Sequence, residues 1–386
     1  MSGGVRNGAL ACCDLAMPGV AGLHPYQPGK PIAELRREYG VTEVVKLASN
    51  ENPLGPSPAA LAAAREALQE VHRYPDGAAF ELRSDLAAAL DVAPEALTLG
   101  NGSNDLLDLV ARAFLGPGRN AVISQHAFAI YGLVTRCVGA RPVVVPAHPA
   151  HHPQPRGHDL AAMAEAVTAE TSVVFVANPN NPTGTWADAE AVDRLLERIP
   201  PRVLVVLDEA YQEYARERVP GFPEGLPRLA RHPNLVLTRT FSKAQGLAGL
   251  RVGYAVAHPA VADLLNRVRH PFNTSIPAQA AARAALHDSA HVAAGVALNA
   301  SELPRLAAAL ADRRLEVLPS AGNFLCVDVG DAPAVNQGLL RRGVIVRPLA
   351  EYGLPSCLRV SIGTAAENEV FLRALDQALV DAGAMP

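Results

Sequence analysis

Lysine is scarce: it stands at positions 30, 46 and 243 only, in a chain of 386 residues whose positive charge is otherwise arginine. Any chemistry that needs a side-chain amine therefore has few candidates. Cysteine is also sparse, with five residues at positions 12, 13, 137, 326 and 357. Their odd number and the absence of a CxxC spacing speak against a disulfide framework and a cysteine zinc site, and so favour a reducing cytoplasm. No apolar run reaches the roughly 18 residues of a membrane helix. The first 20 residues lack a basic start followed by an apolar core, which argues against a signal peptide. The expectation is a soluble, cytoplasmic protein with no membrane partner. A net charge of −4 gives no reason to expect nucleic acid or an anionic surface as partner. No internal repeat is found.

What remains is an ordinary globular composition, 49% apolar and 19% charged. At this length the chain can bury a large core and form two domains. From Leu97 to about His258, strand-like and helix-like segments alternate, which implies α/β architecture with a doubly wound, mainly parallel sheet. Residues 1–34 read as a tail and an arm, extended from 23 to 34 because Pro25, Pro28 and Pro31 oppose a helix. Residues 35–70 and 272–386 would form a smaller α/β domain, and 71–271 the large one. Ser57-Pro58 has the signature of a helix start, with Leu61, Ala64, Leu68 and Val71 as its apolar side. The stretch from Arg267 to Leu286 reads as helical, broken at Pro271 and Pro277. Asn323–Val329, Val344–Val346 and Leu358–Ile362 read as strands of the smaller domain.

Three apolar runs, Val173–Ala177, Val203–Leu207 and Leu235–Leu237, are bounded by polar turns, as expected of strands covered on both faces. They are followed in turn by Asn178-Pro179-Asn180-Asn181-Pro182-Thr183-Gly184, by Asp208-Glu209-Ala210-Tyr211, and by Thr240-Phe241-Ser242-Lys243 with Arg251 beyond. Ligands of such sheets bind at the carboxyl ends of the strands, so these groups would gather along one edge. The set suits pyridoxal phosphate. Lys243 supplies an amine that desolvation beside other cations can keep neutral. Asp208 supplies a carboxylate to hold the pyridine nitrogen protonated. Tyr211 and Asn181 can hydrogen-bond the ring oxygen, while Thr240, Ser242 and Arg251 suit the phosphate.

A phosphate also favours a helix N-terminus. Gly100-Asn101-Gly102-Ser103-Asn104-Asp105 opens a segment carrying Leu106, Leu107, Val110, Ala113 and Phe114 on one side, and its glycines and small polar residues make a cup. It lacks the third glycine of a dinucleotide fingerprint. Phe128 lies beyond it, placed to stack on a pyridine ring. Lys30 and Lys46 follow no strand with a Ser or Thr cluster and are expected in solvent. Residues 147–158 hold His148, His151, His152 and His158, but Pro153 and Pro155 disrupt regular ligand spacing, so this reads as a surface loop and no metal is expected. Glu209, next to Asp208 at a strand end, should point to the opposite face.

The chain resembles the aminotransferases of the fold-type-I pyridoxal phosphate superfamily, and among them the histidinol-phosphate aminotransferase family. The resemblance runs from Leu23 nearly to the C-terminus. It rests on the segments quoted above and on Pro25–Pro31, Leu47-Ala48-Ser49-Asn50-Glu51-Asn52-Pro53-Leu54-Gly55-Pro56, Arg73-Tyr74-Pro75, Leu247–Arg251 and Leu358–Gly363. It implies a homodimer in which Tyr74 reaches the neighbouring subunit's coenzyme phosphate, with Tyr26 and Asn50 lining the substrate side. It also implies that Arg359, helped by Arg347, clamps the substrate anion. The implied reaction passes an amino group between glutamate or 2-oxoglutarate and imidazole-acetol phosphate or histidinol phosphate, in histidine biosynthesis. Gln245 stands where the family often has Tyr or Phe, and His126 where it usually has Tyr or Pro. Rival activities on the same scaffold are an aromatic amino-acid aminotransferase and a lyase or decarboxylase of an amino acid phosphate.

Overall fold

A computed structural model describes residues 13, 15–23 and 29–383. Its centre is a seven-stranded sheet in the order Leu97–Gly100, Gly253–Ala257, Leu235–Thr240, Leu204–Asp208, Thr171–Ala177, Asn120–Ser124, Arg141–Val145. All strands run parallel except Gly253–Ala257, which is antiparallel to both its neighbours. Successive side chains of a strand point to opposite faces, and the two faces feed separate cores. Val174, Val176, Val205, Leu207, Leu235 and Leu237 enter one; Val173, Phe175, Leu204, Val206 and Val236 enter the other. Two buried faces explain why these strands read as unbroken apolar runs.

The C-terminal part forms an antiparallel sheet in the order Arg347–Pro348, Cys357–Ser361, Phe324–Asp328, Glu316–Val317. The N-terminal segment joins it through Val45–Lys46, which pairs in parallel with Val344–Ile345. A third core, with Leu47, Leu325, Val360 and Phe371, holds these pieces together.

Several local readings change. Residues 18–21 of the expected tail form a helical turn, Pro18–Ala21, against the helix Ala129–Cys137. Pro31 does not prolong the extended arm: it is the N-cap of a helix, Ile32–Tyr39, because proline is tolerated before the first turn, where its missing N–H costs nothing. Pro277 likewise starts a helix, Ile276–His287, with Ser275 capping the Ala278 amide. The helix Pro58–Ala67 does begin at a Ser57 cap, but it buries Ala60 while Leu61, Leu68 and Val71 are exposed. Among the described residues no helix is long and apolar enough to cross a membrane.

Candidate active site

The carboxyl edge of the large sheet meets the C-terminal antiparallel sheet at a cavity of about 510 Å³. Every expected site residue within the described set lines it, Tyr74 excepted; Tyr26 lies outside the described residues. Strand parity decides which face each group serves. Asp208, the last residue of its strand, shares a face with Leu204 and Val206, so its carboxylate enters the core that contains Tyr131 and Phe175. Glu209 has the other parity. It is buried away from the cavity lining, accepting from the Gly225 amide at 2.6 Å and from Arg239 Nε at 2.8 Å.

Asp208 accepts a hydrogen bond from the Tyr131 hydroxyl at 2.9 Å through Oδ2; Oδ1, also buried, has no hydrogen-bond partner. Burial pushes the carboxyl pKa up to about 6, against the hydrogen bond from Tyr131. Sequence reasoning missed Tyr131. It sits three residues beyond Phe128 on the next helix, and its ring stacks on Phe175 with centroids 5.0 Å apart.

Lys243 Nζ donates to the Ser49 carbonyl at 2.9 Å and lies 5.6 Å from the Tyr211 ring centroid. Desolvation, then Arg359, with smaller contributions from Arg251 and Lys46, lowers its pKa to about 7 against the opposing charge of Glu51. Near neutrality a substantial share of this amine is therefore unprotonated and nucleophilic. Lys30 and Lys46 are half-buried in ion pairs rather than free in solvent: Lys30 with Glu34 and Glu38, Lys46 with Glu51. A small acylating reagent should thus modify Lys243 of the ligand-free chain at a rate that climbs as pH rises through about 7. Lys30, held protonated chiefly by Glu38, should stay unmodified up to pH 9. Peptide mass spectrometry reads all three lysines, and a Lys243 midpoint above pH 9 would contradict the assignment.

Opposite Asp208 is a cup made by Gly102, Ser103 and Asn104 at the start of the helix Ser103–Phe114, whose first turn has no side-chain cap. Gly102 is required there twice over. Its φ of +81° disfavours other residues, and a Cβ would lie 2.4 Å from Arg251 Nη2. Arg251 is held over the cup by donating to the Ala248 carbonyl at 3.0 Å and to Ser242 Oγ at 3.3 Å.

The opposite wall belongs to the C-terminal antiparallel sheet. Arg347 and Arg359 are direct partners across adjacent antiparallel strands, which puts both guanidinium groups on one face of that sheet. Arg359 donates to Asn181 Oδ1 and to the Ala48 carbonyl, and Arg347 pairs with Glu351. Asn50 ties the walls together. It donates from Nδ2 to the Tyr211 hydroxyl at 2.9 Å, and its backbone N–H donates to Ser361 Oγ at 2.8 Å. Tyr74 stands outside the cavity, 80% exposed, its ring stacked on Phe272.

The histidine-rich stretch 147–158 has no helix or strand. It is not wholly a surface loop: His148 and His152 stack at 3.7 Å, and His158 is buried. Among the described residues no cluster of His, Cys, Asp or Glu is arranged to hold a metal ion.

The family model for aminotransferase class I and II matches residues 42–375. The chain belongs to the class I and II aminotransferases. Histidinol-phosphate aminotransferase 2 of Pseudomonas fluorescens (strain Pf0-1) is 57% identical over 368 residues, covering 95% of this chain and 97% of that protein. The corresponding protein of Pseudomonas aeruginosa is 56% identical over 368 residues, covering 95% and 98%. Among solved structures, histidinol-phosphate aminotransferase from Sinorhizobium meliloti in complex with pyridoxal-5′-phosphate superposes with a TM-score of 0.85 at 31% identity, covering 95% and 97% of the two chains. The cavity lies at the carboxyl edge of the sheet, where ligands of such sheets bind.

Proposed function

We propose that this aminotransferase passes an amino group between glutamate or 2-oxoglutarate and imidazole-acetol phosphate or L-histidinol phosphate, a step of histidine biosynthesis. Its coenzyme is pyridoxal 5′-phosphate and its working form a cytoplasmic homodimer. One observation carries the reading. A desolvated lysine, a buried carboxylate with one unpartnered oxygen and two arginines converge on a single cavity, in a chain 57% identical to a histidinol-phosphate aminotransferase.

The residues present fit the coenzyme. Asp208 Oδ1 is a buried acceptor awaiting a donor, as a ring N–H would be. The Gly102 cup, the uncapped helix start and Arg251 together offer a place for an anion such as a phosphate. Phe128 supplies a flat apolar wall, and Tyr211 and Asn181 offer polar groups at the ring's edge. When bound, pyridoxal phosphate supplies a carbonyl that condenses with amines and a protonated ring that takes up the electron pair left on Cα.

The chain's own residues do the rest. Lys243 Nζ would hold the coenzyme, and with its amine free it would take the substrate's Cα proton and give it back, acid–base work by a group already in place. Its depressed pKa lets it act as a base near neutrality. Asp208 would hold the ring nitrogen protonated through its unpartnered Oδ1. Arg359, backed by Arg347, grips the substrate oxyanion, which is a carboxylate in glutamate and a phosphate in histidinol phosphate; guanidinium suits both. Because one site takes two substrates in turn, the kinetics are ping-pong. Dimer formation is supported by the exposed apolar side chains Leu61, Leu68, Val71, Tyr74 and Phe272, which a second copy would cover.

The test supplies histidinol phosphate and 2-oxoglutarate to the holoenzyme. Glutamate should appear in equal amount to the histidinol phosphate consumed, with parallel double-reciprocal lines. Phosphate or carbon dioxide release without glutamate would overturn the reading.

A further inference from the structure

Asp208 has two carboxylate oxygens with different fates. Oδ2 receives the Tyr131 hydroxyl at 2.9 Å, whereas Oδ1 completes no hydrogen bond, although Thr238 and the Ala210 amide lie beside the group. Tyr131 is itself fully buried, stacked on Phe175 and edge-on to Phe128, with centroids 5.0 and 5.9 Å away. Its ring has little freedom, so the hydroxyl is a fixed donor.

We propose that Tyr131 is the positioning residue for Asp208: its hydroxyl occupies Oδ2, orients the carboxylate and favours its anionic form, reserving Oδ1 for the coenzyme's ring nitrogen. The phenol suits the task. Burial and the neighbouring carboxylate hold its pKa far above the ordinary value, so it stays a donor throughout the working range. A donor on Oδ2 lowers the carboxylate's proton affinity. The shared proton then resides on the ring nitrogen rather than on Asp208. Of the other ionisable groups, Tyr211 and Lys243 line the same cavity, and Glu209, on the opposite face of the strand end, acts on this carboxylate through its charge alone. Glu209 is offset on the far face by Arg239 at 2.8 Å.

The inference rests on the pyridoxal phosphate reading, and its test separates the two. Coenzyme release from wild-type and Tyr131→Phe holoenzyme is followed by absorbance from pH 5 to 8. A wild type that binds no coenzyme would sink the coenzyme reading itself. If it binds, protonation of Asp208 speeds release as pH falls. Removing the hydroxyl raises the carboxyl pKa, so the acceleration in Tyr131→Phe should begin at a pH higher by about one unit or more. A uniformly faster release with an unshifted profile would make Tyr131 only a packing residue and overturn the proposal. The second measurement is a cycle of melting temperatures with Asp208→Asn. Tyr131→Phe should lower Tm in the wild type, through a buried carboxylate oxygen left without its donor, and much less in Asp208→Asn. Failure of the single variant to fold beside a folded double variant would support the proposal equally. Equal Tm losses in both backgrounds, or a double variant that fails to fold where Asp208→Asn folds, would overturn it.

Discussion

Lys243→Ala loses transamination entirely while the chain stays folded. The amine is a reactant, so no neighbouring group can replace it, and the expected rate is the background of free coenzyme. The fold should not suffer. Lys243 is desolvated and gives up only one hydrogen bond, to the Ser49 carbonyl; with its pKa lowered to about 7 it contributes unfavourably to stability, in full below pH 7 and less and less as pH rises from 7 toward the ordinary value of 10.5. In that window the unfolded chain binds a proton that the folded chain does not, so the substitution should leave Tm unchanged or raise it. Borohydride treatment of wild-type holoenzyme should fix coenzyme to the peptide containing Lys243. Fixation at Lys30 or Lys46 in the variant, with activity retained, would remove Lys243 from its role.

Arg359→Ala should weaken both substrates together. The guanidinium is buried, donates to Asn181 and the Ala48 carbonyl, and lines the cavity beside Arg347. Loss of such a desolvated partner costs about 2–5 kcal/mol, or a factor of roughly 30 to several thousand in kcat/KM. Glutamate and histidinol phosphate each present an oxyanion next to the reacting carbon, so the two factors should be similar. A large loss for glutamate with histidinol phosphate nearly unaffected would place the phosphate elsewhere, with Arg347 as the alternative clamp.

The large sheet was legible because both its faces are buried: Val173–Ala177, Val203–Leu207 and Leu235–Leu237 have no alternation to misread. The polar residues just past those runs line one cavity for the same reason, since parallel strands end on one edge. Other parts were hidden by physics that a linear pattern does not carry. Tyr131 is aromatic and buried, and in sequence looks like any core residue; only the parity of Asp208 across the sheet gives it a partner. Leu61, Leu68 and Val71 repeat at helical spacing whether they face a core or solvent, so the pattern alone does not say which. Pro31 and Pro277 mark helix starts here, because a proline disrupts a helix only beyond its first turn. The pairing of Arg347 with Arg359 depends on strand register, which the two short segments did not specify.

The central claim is tested most directly by the ratio of kcat/KM for L-histidinol phosphate and L-phenylalanine as amino donors to 2-oxoglutarate, measured on one preparation of wild-type holoenzyme. With Arg359 and Arg347 on the same wall, the phosphate dianion should be gripped more strongly than a single carboxylate. Histidinol phosphate should therefore be preferred by at least about tenfold, equivalent to about 1.4 kcal/mol in the transition state. A preference for phenylalanine of about tenfold or more would contradict the account and make the chain an aromatic amino-acid aminotransferase.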